Sequence, residues 1–523
     1  MKLLTLLLLS FTTFSGFSQS FYQTSYGDAE VDRGIASVAT STGGFCILSR
    51  NGNVQLGQQD IVLYNIGNDG SLFWSAKIGT TTNDYPTDLK QTSDGGFIIC
   101  GYTYGGFIDS LTTDVFLLKV DDQGFPMWSN TYGGSANDAA YSVLVNDVGE
   151  YYIFGNTSSY GNAATSALAM RFDASGNPLW TNVNSSNATN SYSCATFNQS
   201  KQILAAGYSL NTQFNIDQYI SLIDTNGITL WSFTTGSNNP DMIFAIYQCN
   251  DGGFVTAGSS SNLSSGNYDV NIVKRDANGT ILWNKNFGKA EEDQAFSIVE
   301  DSLQNLYVTG RTNIGSSASV VYQNFILQLD HQGNLLFSKS YGDPALPSEG
   351  NNIIIAGDGN IVSTGYINSF GDPNGDTYFV KTEPNGNSGC YQLPLSFISS
   401  TNFFTDSSGV DQQLINPLAY QTPMIWQSFS NQFSRFCFNN SIDLLNTFQP
   451  TLFPNPGTGI FQLSINDINE HVLTITNTLG QKVIEKKFGE MVVHFDLSHC
   501  ADGIYFYQID HQFAGKFIKT TIH

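Results

Sequence analysis

Charged side chains are scarce in this chain of 523 residues, where they make up only 12% of the sequence. The basic ones are the scarcest, since 21 Lys and Arg stand against 44 Asp and Glu, which gives a net charge of −23. A chain this acidic is repelled by the phosphate backbone of nucleic acids and by an anionic membrane surface. The composition therefore argues against nucleic acid as a partner and is typical of a soluble extracellular protein.

Long apolar runs are missing as well. The run near the N-terminus, Leu3 to Leu9, follows Lys2 and is far shorter than the roughly 20 residues that a membrane-spanning helix needs. A short apolar run behind a basic residue, with small residues around Ser18 after it, is typical of a secretory signal peptide. We therefore predict a signal peptide over residues 1–18 and no transmembrane segment in the rest of the chain.

Histidine, a common catalytic base and metal ligand, is rare outside the last part of the chain. Of the six histidines only His331 precedes residue 471, and it falls in a predicted surface turn between Asp330 and Gly333. No Ser–His–Asp or Cys–His arrangement and no histidine-rich zinc site can be assembled there. The distribution of the histidines therefore indicates no catalytic residue and no metal ligand.

The seven cysteines do not form the regular framework of a disulfide-rich scaffold. Cys390 and Cys437 bracket one segment, and the sequence leaves open whether they form a disulfide. Cys500 has no evident partner. The other four fall in or beside predicted strands, which favours buried free thiols: Cys46, Cys100, Cys194 and Cys249.

The strongest positive signal is an internal repeat marked by tryptophan. Five of the six tryptophans lie four residues after a glycine, and the glycines recur every 51 to 54 residues. Phe337 after Gly333 continues the series, and Gly386 ends a seventh unit. Because one slot holds an aromatic residue in successive units, we predict core packing residues there rather than ligand contacts. These are Trp74, Trp128, Trp180, Trp231 and Trp283.

Each unit reads as four short strands separated by turn residues, such as Asp94-Gly95-Gly96, and rich in β-branched and aromatic types. Four-stranded units repeated at a period near 50 residues are typical of β-propeller blades. We predict an all-β fold with a seven-bladed β-propeller over residues 19–390. The seventh unit has Cys390 where its aromatic belongs, so we expect Phe21 to Gly27 to supply that unit's last strand and close the ring.

The chain changes character twice after the repeat. Residues 391–446 are rich in Ser, Thr, Asn and Gln but keep regular aromatic residues, among them Trp426 and Phe433. That content is too apolar for disorder, and we predict a small β-rich connector. Residues 447–523 then read as a compact β module.

This last module resembles the C-terminal type A sorting domain of cargo of the type IX secretion system, found in Bacteroidota. The resemblance lies in a PNP-x-x-G opening, a G-I-Y strand and basic residues near the end of the chain. The residues that match are Pro454, Asn455, Pro456, Gly459, Gly503, Tyr505, Lys516 and Lys519. The resemblance implies an immunoglobulin-like β-sandwich, the type IX machinery as a partner, and a secreted or outer-surface location.

Acidic or amide residues recur at two slots of the repeat. One set precedes the first strand of each unit: Asp32, Asp84, Asp138, Asn190, Asp241, Asp293 and Glu349. The second set precedes the third strand: Asp60, Asp114, Asp217, Asp269, Asn324 and Asp376. One interpretation is an acidic funnel for Ca²⁺ or a cationic ligand, with Asp32, Asp84, Asp138, Asp241 and Asp293 as contacts; no other cofactor is indicated. The alternative, favoured by the repetition, is that each carboxylate caps a turn.

Two classes of function are open on the sequence alone. The first is a non-catalytic secreted or surface protein whose polar, variable loops bind a glycan or a protein. The second is an enzyme acting on polysaccharide, a hydrolase or lyase that uses carboxylates of the acidic face. The lack of a nucleophile motif favours the first.

Overall fold

The computed structural model describes residues 21–520 except 29, 53–58, 106–110, 185, 211–214, 262–266, 317–318, 369–373, 409–411, 416–417, 422–424, 429–431, 440–450, 454–457, 465–470, 478–480, 490–491 and 510–512. The signal peptide predicted for residues 1–18 lies outside this range. The chain divides into two units, Met1–Asn440 and Ser441–His523. The domain boundaries drawn from the sequence stay predictions.

All regular elements of the described residues are β-strands, which confirms the all-β prediction. Most of the first unit consists of repeats of four antiparallel strands. The first strands are β2 (Asp32–Ala39), β6 (Asp84–Gln91), β10 (Asp138–Val145), β14 (Thr189–Phe197), β18 (Asp241–Gln248), β22 (Asp293–Glu300) and β26 (Ser348–Ile355). The second strands are β3 (Phe45–Asn51), β7 (Phe97–Tyr104), β11 (Tyr151–Thr157), β15 (Ile203–Leu210), β19 (Phe254–Ser261), β23 (Leu306–Asn313) and β27 (Ile361–Ile367).

The third and fourth strands complete these repeats. The third strands are β4 (Asp60–Ile66), β8 (Thr113–Val120), β12 (Ser166–Phe172), β16 (Ile216–Ile223), β20 (Tyr268–Arg275), β24 (Tyr322–Leu329) and β28 (Asp376–Thr382). The fourth strands are β5 (Leu72–Gly79), β9 (Pro126–Gly133), β13 (Pro178–Asn184), β17 (Thr229–Gly236), β21 (Ile281–Gly288), β25 (Leu335–Tyr341) and, from the N-terminus, β1 (Phe21–Gly27).

The sheets are arranged in a cycle and give a propeller-like unit. The first strand of each sheet contacts the first strands of both neighbouring sheets, and β2 contacts β26 so that the cycle closes. The first strands therefore surround the centre. Each sheet runs outward from them in the order first, second, third, fourth strand.

The hydrophobic core lies between neighbouring sheets rather than in one central mass. Leu48 and Leu63 of one sheet, for example, share a cluster with Phe97 and Ile99 of the next. The third strand β8 is buried at all eight of its positions because both of its faces are covered. The β-branched and aromatic residues of the repeat supply this packing.

The N-terminal strand closes the cycle as expected. β1 pairs antiparallel with β28, with Tyr22 opposite Lys381 and Tyr26 opposite Thr377. Tyr22 and Tyr26 are fully buried. The prediction that Phe21 to Gly27 supply the last strand of the seventh unit is confirmed.

The segment after the repeat forms a fifth strand on every sheet, which the sequence did not indicate. Its strands are β29 (Gln392–Pro394), β30 (Ile398–Thr401), β31 (Thr405–Ser408), β32 (Gln412–Ile415), β33 (Leu418–Gln421), β34 (Ile425–Ser428) and β35 (Gln432–Asn439). They pair in turn with β25, β21, β17, β13, β9, β5 and β1, so the chain passes around all seven sheets in reverse order. We call β29 to β35 the belt.

The belt covers edges that the fourth strands would otherwise leave unpaired. Its pairing is confined to the second half of most fourth strands, as in β13, where Thr181 to Asn184 are paired. The side chain of Gln23 in β1 donates to the carbonyl oxygen of Cys390, 2.5 Å away, just before the belt begins. Cys390 is disulfide-bonded. Cys437 in β35 lies opposite Gln23, and its side chain is outside the described set.

The second unit contains two antiparallel sheets. Its strands are β36 (Thr451–Phe453), β37 (Ile460–Ser464), β38 (His471–Asn477), β39 (Lys482–Phe488), β40 (Val492–Asp496), β41 (Gly503–Ile509) and β42 (Phe513–Lys519). The sheet orders are β36-β37-β40 and β39-β38-β41-β42. Phe461 of the first sheet and Leu473, Tyr505 and Phe517 of the second share one core. The immunoglobulin-like topology stays a prediction.

Candidate functional site

The first strands carry one irregularity at the same place in all seven sheets. The pairing between first and second strands shifts by one residue there, which leaves one residue of the first strand unpaired. Such a β-bulge redirects a side chain and increases the local twist. In β6 the bulge follows Pro86, which has no N–H to lose from the ladder. We call the edge of the ring where the first and third strands begin the upper rim.

Two arginines lie directly opposite each other near this rim. Arg33 of β2 and Arg50 of β3 are cross-strand partners. Like charges in such a pair destabilise a sheet. Arg33 is balanced by Glu349 of the neighbouring sheet, with its Nη1 2.8 Å from Glu349 Oε1, and its guanidinium lies 4.8 Å from the centre of the Tyr366 ring.

Arg50 has no such balance. Its guanidinium lies 5.2 Å from the centre of the Tyr85 ring. Among the residues that the structure describes, no carboxylate forms an ion pair with it and no acceptor takes a hydrogen bond from it. The attraction of Glu349 reaches Arg50 as well, but that carboxylate is paired with Arg33. Half-buried and without an ion pair of its own, the Arg50 guanidinium is an energetic cost to the fold that a bound anion would offset.

Tyrosines extend the site from Arg50 into the next two sheets. Tyr85 of β6 and Tyr102 of β7 are cross-strand partners whose rings stack with centroids 4.9 Å apart. The bulge residue Tyr141 of β10 meets Tyr102 edge-on at 6.3 Å. Together these side chains form a continuous arc across four sheets, the arginine–tyrosine arc: Tyr366, Arg33, Arg50, Tyr85, Tyr102 and Tyr141.

The electrostatics of the arc favour donation of hydrogen bonds. Burial, and then the charge of Arg33, lower the pKa of Arg50. Burial raises the pKa of Tyr102 to about 12, and it also raises the pKa of Tyr141. Both phenols therefore stay neutral near pH 7 and keep a hydroxyl donor. The arc presents guanidinium and hydroxyl donors beside aromatic rings, which is the donor set that recognises carboxylates and similar acceptors.

The equivalent position in another sheet shows that the charge of Arg50 is not simply a feature of the repeat. Arg311 of β23 occupies the slot of Arg50, but it is held by Glu292 at 3.2 Å and Gln294 at 3.1 Å. Arg311 is therefore a satisfied structural arginine. Of the two, only Arg50 lacks an ion pair with a described carboxylate.

The acidic residues predicted as ligand contacts are buried in the upper rim. Asp32, Asp84, Asp241 and Asp293 are 0% exposed and Asp138 is 1% exposed. In each of the five, the carboxylate Oδ2 accepts a hydrogen bond from the backbone N–H four residues earlier, at 2.5–2.9 Å. This geometry favours the turn-capping interpretation over the cation funnel. The Ca²⁺ funnel itself stays a prediction.

Two acidic sets meet at one glycine in five of the sheet junctions. A side chain on Gly133, for instance, would overlap Asp114 of its own sheet and Asp138 of the next. The other four such glycines are Gly27, Gly79, Gly236 and Gly288. At the two remaining junctions both acids are absent, with Ser166 and Asn190 in one and Gln323 and Ser348 in the other. The paired acids therefore occur together or not at all.

Burial shifts the pKa of these rim acids upward. It raises the pKa of Asp32 to about 8 and those of Asp84 and Asp293 to about 6. The charge of the second acid at the junction adds to the rise at Asp84 and Asp293, where it comes from Asp60 and Asp269. These groups are hence partly protonated near neutral pH but are closed off from substrate by burial.

Two positions of the acidic sets were misplaced by one residue. Ser348, not Glu349, begins β26, and its Oγ takes the place of the rim carboxylate. Gln323, not Asn324, pairs with Thr312 at the third-strand slot. The loop from Gly342 to Ser348 is one residue longer than its counterparts, which moves Glu349 off the rim and onto Arg33.

The repeated tryptophans join neighbouring sheets. Each is half-buried rather than fully buried, which corrects the expectation of a core position. The Trp180 ring lies against Gly227 in the turn of the next sheet, and its Nε1 donates to Thr225 O at 3.0 Å. The same contact recurs for Trp74 with Gly124, Trp128 with Gly176 and Trp283 with Gly333. At Gly279 the Phe233 ring is the nearest neighbour, and an added Cβ would lie 3.7 Å from Trp231. The tryptophans are packing residues between sheets, as the repeat suggests.

The residues of the sorting resemblance have structural places where the structure describes them. Tyr505 is 5% exposed and donates to Ala501 O at 2.7 Å. Lys519 pairs with Asp502 at 2.8 Å. Gly459 and Gly503 have φ of +140° and +157°. Lys516 lies in β42 opposite Phe506, while Pro454, Asn455 and Pro456 fall outside the described residues.

Within the described ranges, no group of three or more His, Cys, Asp or Glu side chains is placed to hold a metal ion. No helix there is long and apolar enough to cross a bilayer.

Residues 451–522 match the family described as the secretion system C-terminal sorting domain. This match supports export of the chain as cargo of type IX secretion, to the cell surface or beyond. Among curated proteins, none matches the sequence.

Solved structures that match this chain share little of its sequence. Sqt1 from Chaetomium thermophilum is 11% identical, with a TM-score of 0.40 over 73% of this chain and 90% of that one. A protein of unknown function from Dyadobacter fermentans is 12% identical, with a TM-score of 0.39 over 70% and 98%. PorZ, a surface component of the type IX secretion system of Porphyromonas gingivalis, is 10% identical, with a TM-score of 0.26 over 92% and 74%. Likeness at this level carries no inference about function.

The sequence pointed to the acidic rim, whereas the structure brings together the arginine–tyrosine arc. Arg33 and Tyr85 each follow a rim aspartate, and Arg50 and Tyr102 stand at a second slot shared by the second strands. An alignment of the repeats at these two slots would have shown an Arg–Arg and a Tyr–Tyr pair in adjacent units.

Proposed function

We propose that this chain is a secreted or surface-exposed binding protein of a Bacteroidota species, exported by the type IX system, with a non-catalytic seven-bladed β-propeller that binds a glycan or a protein. The sorting-domain match over residues 451–522 supports the export half of the proposal. The arginine–tyrosine arc supports the binding half, because it offers donors without a described hydrogen-bond partner, beside aromatic rings, near the centre of the ring. The lack of an ion pair for Arg50 among the described residues is the observation that carries it.

A polysaccharide hydrolase or lyase, the alternative function, would need accessible carboxylates. A glycosidase uses two carboxyl groups that flank the scissile bond, one of them with a raised pKa. Asp84 and Asp293 have the raised pKa but are 0% exposed and are bonded to backbone N–H groups. They fit a structural role, and we identify no other pair of carboxylates among the described residues as a catalytic pair.

Export is tested by removing residues 451–523 in the native host. We expect the truncated protein to stay in the periplasm, while the full chain reaches the surface or the medium. A matched control removes only residues 521–523, which follow β42 in the sequence, and should leave export intact. Undiminished appearance of the truncated protein outside the cell would contradict the proposal.

A further inference from the structure

We infer that the arginine–tyrosine arc is a binding site for a carboxylate-bearing saccharide, with Arg50 as the residue that holds the carboxylate. This inference rests on the proposed binding function and names its ligand class. It depends on three features of the arc, taken in turn: its unpaired charge, its donors and its rings.

The first feature is the cross-strand pair of arginines. Placing Arg33 opposite Arg50 concentrates two positive charges at one point of a chain whose net charge is −23. One carboxylate, Glu349, balances Arg33. A second negative charge, brought by a ligand, would complete the set around Arg50. The guanidinium is planar and can bind a carboxylate through two parallel hydrogen bonds.

The second feature is that the groups near Arg50 are donors. Neither the Tyr85 nor the Tyr102 hydroxyl has a hydrogen bond to a described residue, while Tyr141 accepts one from Asn156 Nδ2 at 3.4 Å. Tyr102 keeps its proton because burial raises its pKa to about 12. A ligand rich in acceptor oxygens, which a uronic acid is, matches this set.

The third feature is the run of aromatic rings. Tyr85, Tyr102 and Tyr141 follow one another at centroid distances of 4.9 and 6.3 Å, across two neighbouring sheets. Arg50 lies over the Tyr85 ring and Tyr102 stacks on it, so the arc offers ring edges with their hydroxyl groups rather than open ring faces. A row of hydroxyl-bearing ring edges beside one arginine suits a ligand that carries hydroxyl and carboxyl oxygens along its whole length, which an acidic sugar chain does.

The test measures binding of full-length protein to an oligogalacturonate by calorimetry, with the methyl-esterified form of the same sugar and an oligoglutamate peptide as comparisons. We expect saturable binding of the oligogalacturonate only. Arg50→Gln should weaken that binding by about tenfold or more, since a bidentate charged contact is lost. Arg50→Lys should restore little of it, because a point charge does not replace the fork.

The matched control is Arg311→Gln, at the same slot of the repeat but held by Glu292, and it should leave binding unchanged. Tyr102→Phe removes one hydroxyl without emptying space, so it should weaken binding while the far-ultraviolet circular dichroism stays that of the parent. It keeps the test valid if Arg50→Gln fails to fold.

Equal binding of the esterified and free sugars, or an unchanged affinity in both Arg50→Gln and Tyr102→Phe, would overturn the assignment while leaving a binding function in place. Binding of oligoglutamate alone would also overturn it, and would place a protein partner at the arc. If none of the three probes binds, the saccharide assignment is wrong, and the wider binding function then depends on a separate array of neutral glycans.

Discussion

Replacing Trp180 by alanine should loosen the contact between two neighbouring sheets of the ring. The indole packs on Gly227, where an added Cβ would lie 2.7 Å from the ring, and its N–H bonds to Thr225 O at 3.0 Å. Emptying a fully buried Trp site costs about 3–5 kcal/mol. Since Trp180 is half-buried, we expect about 2 kcal/mol from packing, and the lost hydrogen bond adds about 1 kcal/mol.

The control lies one residue away. Leu179 sits at the unpaired position of a β-bulge and is 49% exposed, so Leu179→Ala should change the free energy of unfolding by less than about 0.5 kcal/mol. Urea unfolding followed by far-ultraviolet circular dichroism, a signal that does not depend on tryptophan fluorescence, measures the unfolding free energies of both variants. A second variant, Gly227→Ala, places a Cβ against the indole at φ +85° and should destabilise as well.

The double variant distinguishes packing from backbone strain. With the indole gone, the clash at residue 227 disappears and only the strain of a positive φ remains, so the two changes should cost less together than their sum. Strict additivity, or an unchanged stability in Trp180→Ala, would refute the view that the repeated aromatic joins the sheets.

Three further predictions concern the rim acids, the belt and the N-terminal strand. The pKa of Asp32 rises from 3.8 to about 8 on folding, so the folded state keeps a proton that the unfolded chain loses, and stability falls as the pH rises between these values. In urea unfolding, Asp32→Asn should reduce this dependence of the unfolding free energy on pH by up to about 1.4 kcal/mol per pH unit. An identical pH dependence in the variant would count against the burial of the Asp32 charge. Non-reducing peptide mapping should show a disulfide between Cys390 and Cys437. Cys390→Ser should lower the unfolding free energy by up to about 4 kcal/mol, the value for opening a loop of this length. A different pairing would contradict the closed belt. Deleting residues 21–27 should expose the edges of β28 and β35 and cause aggregation in light scattering, whereas a monomer of unchanged melting temperature would show that ring closure by β1 is unimportant.

Much of the fold could be predicted because the same sequence pattern recurs in successive units of the repeat. One aromatic slot and one turn glycine recur at a near-constant interval, and the unit at the end lacks the strand that the N-terminus carries. Comparison of the units therefore fixes the strand positions in a unit whose own pattern is ambiguous. Glu349 was misplaced because it follows a loop that is one residue longer than its counterparts. Asn324 has no such cause, since Gln323 precedes Phe337 by the same interval as Asp60 precedes Trp74.

The belt could not be predicted from the same kind of pattern. Most of its strands are four residues long, and their hydrogen bonds go to backbone edges, which leave no side-chain signature. What the sequence does hold is the spacing, since β30 to β35 begin every six or seven residues. A spacing of six or seven residues does not by itself indicate strands. It predicts them only once the seven unpaired edges of the fourth strands are known.

The site was missed for a different reason. The acids of the rim are conspicuous because they repeat, and repetition is what a structural role produces. Arg50 matters because it departs from its repeat, and its lack of a counter-charge becomes visible only when Glu349 is seen to pair with Arg33. A lone unpaired charge is a property of three-dimensional placement.

The most direct test of a binding role is to measure binding and turnover on the same full-length sample. The protein is incubated with oligogalacturonate, bound sugar is measured by calorimetry, and new reducing ends and unsaturated products are measured in the same solution over time. We predict saturable binding that Arg50→Gln weakens by about tenfold or more and Arg311→Gln preserves, with no cleavage product at any time. Products that accumulate in proportion to the protein would contradict this account and show that the propeller is an enzyme.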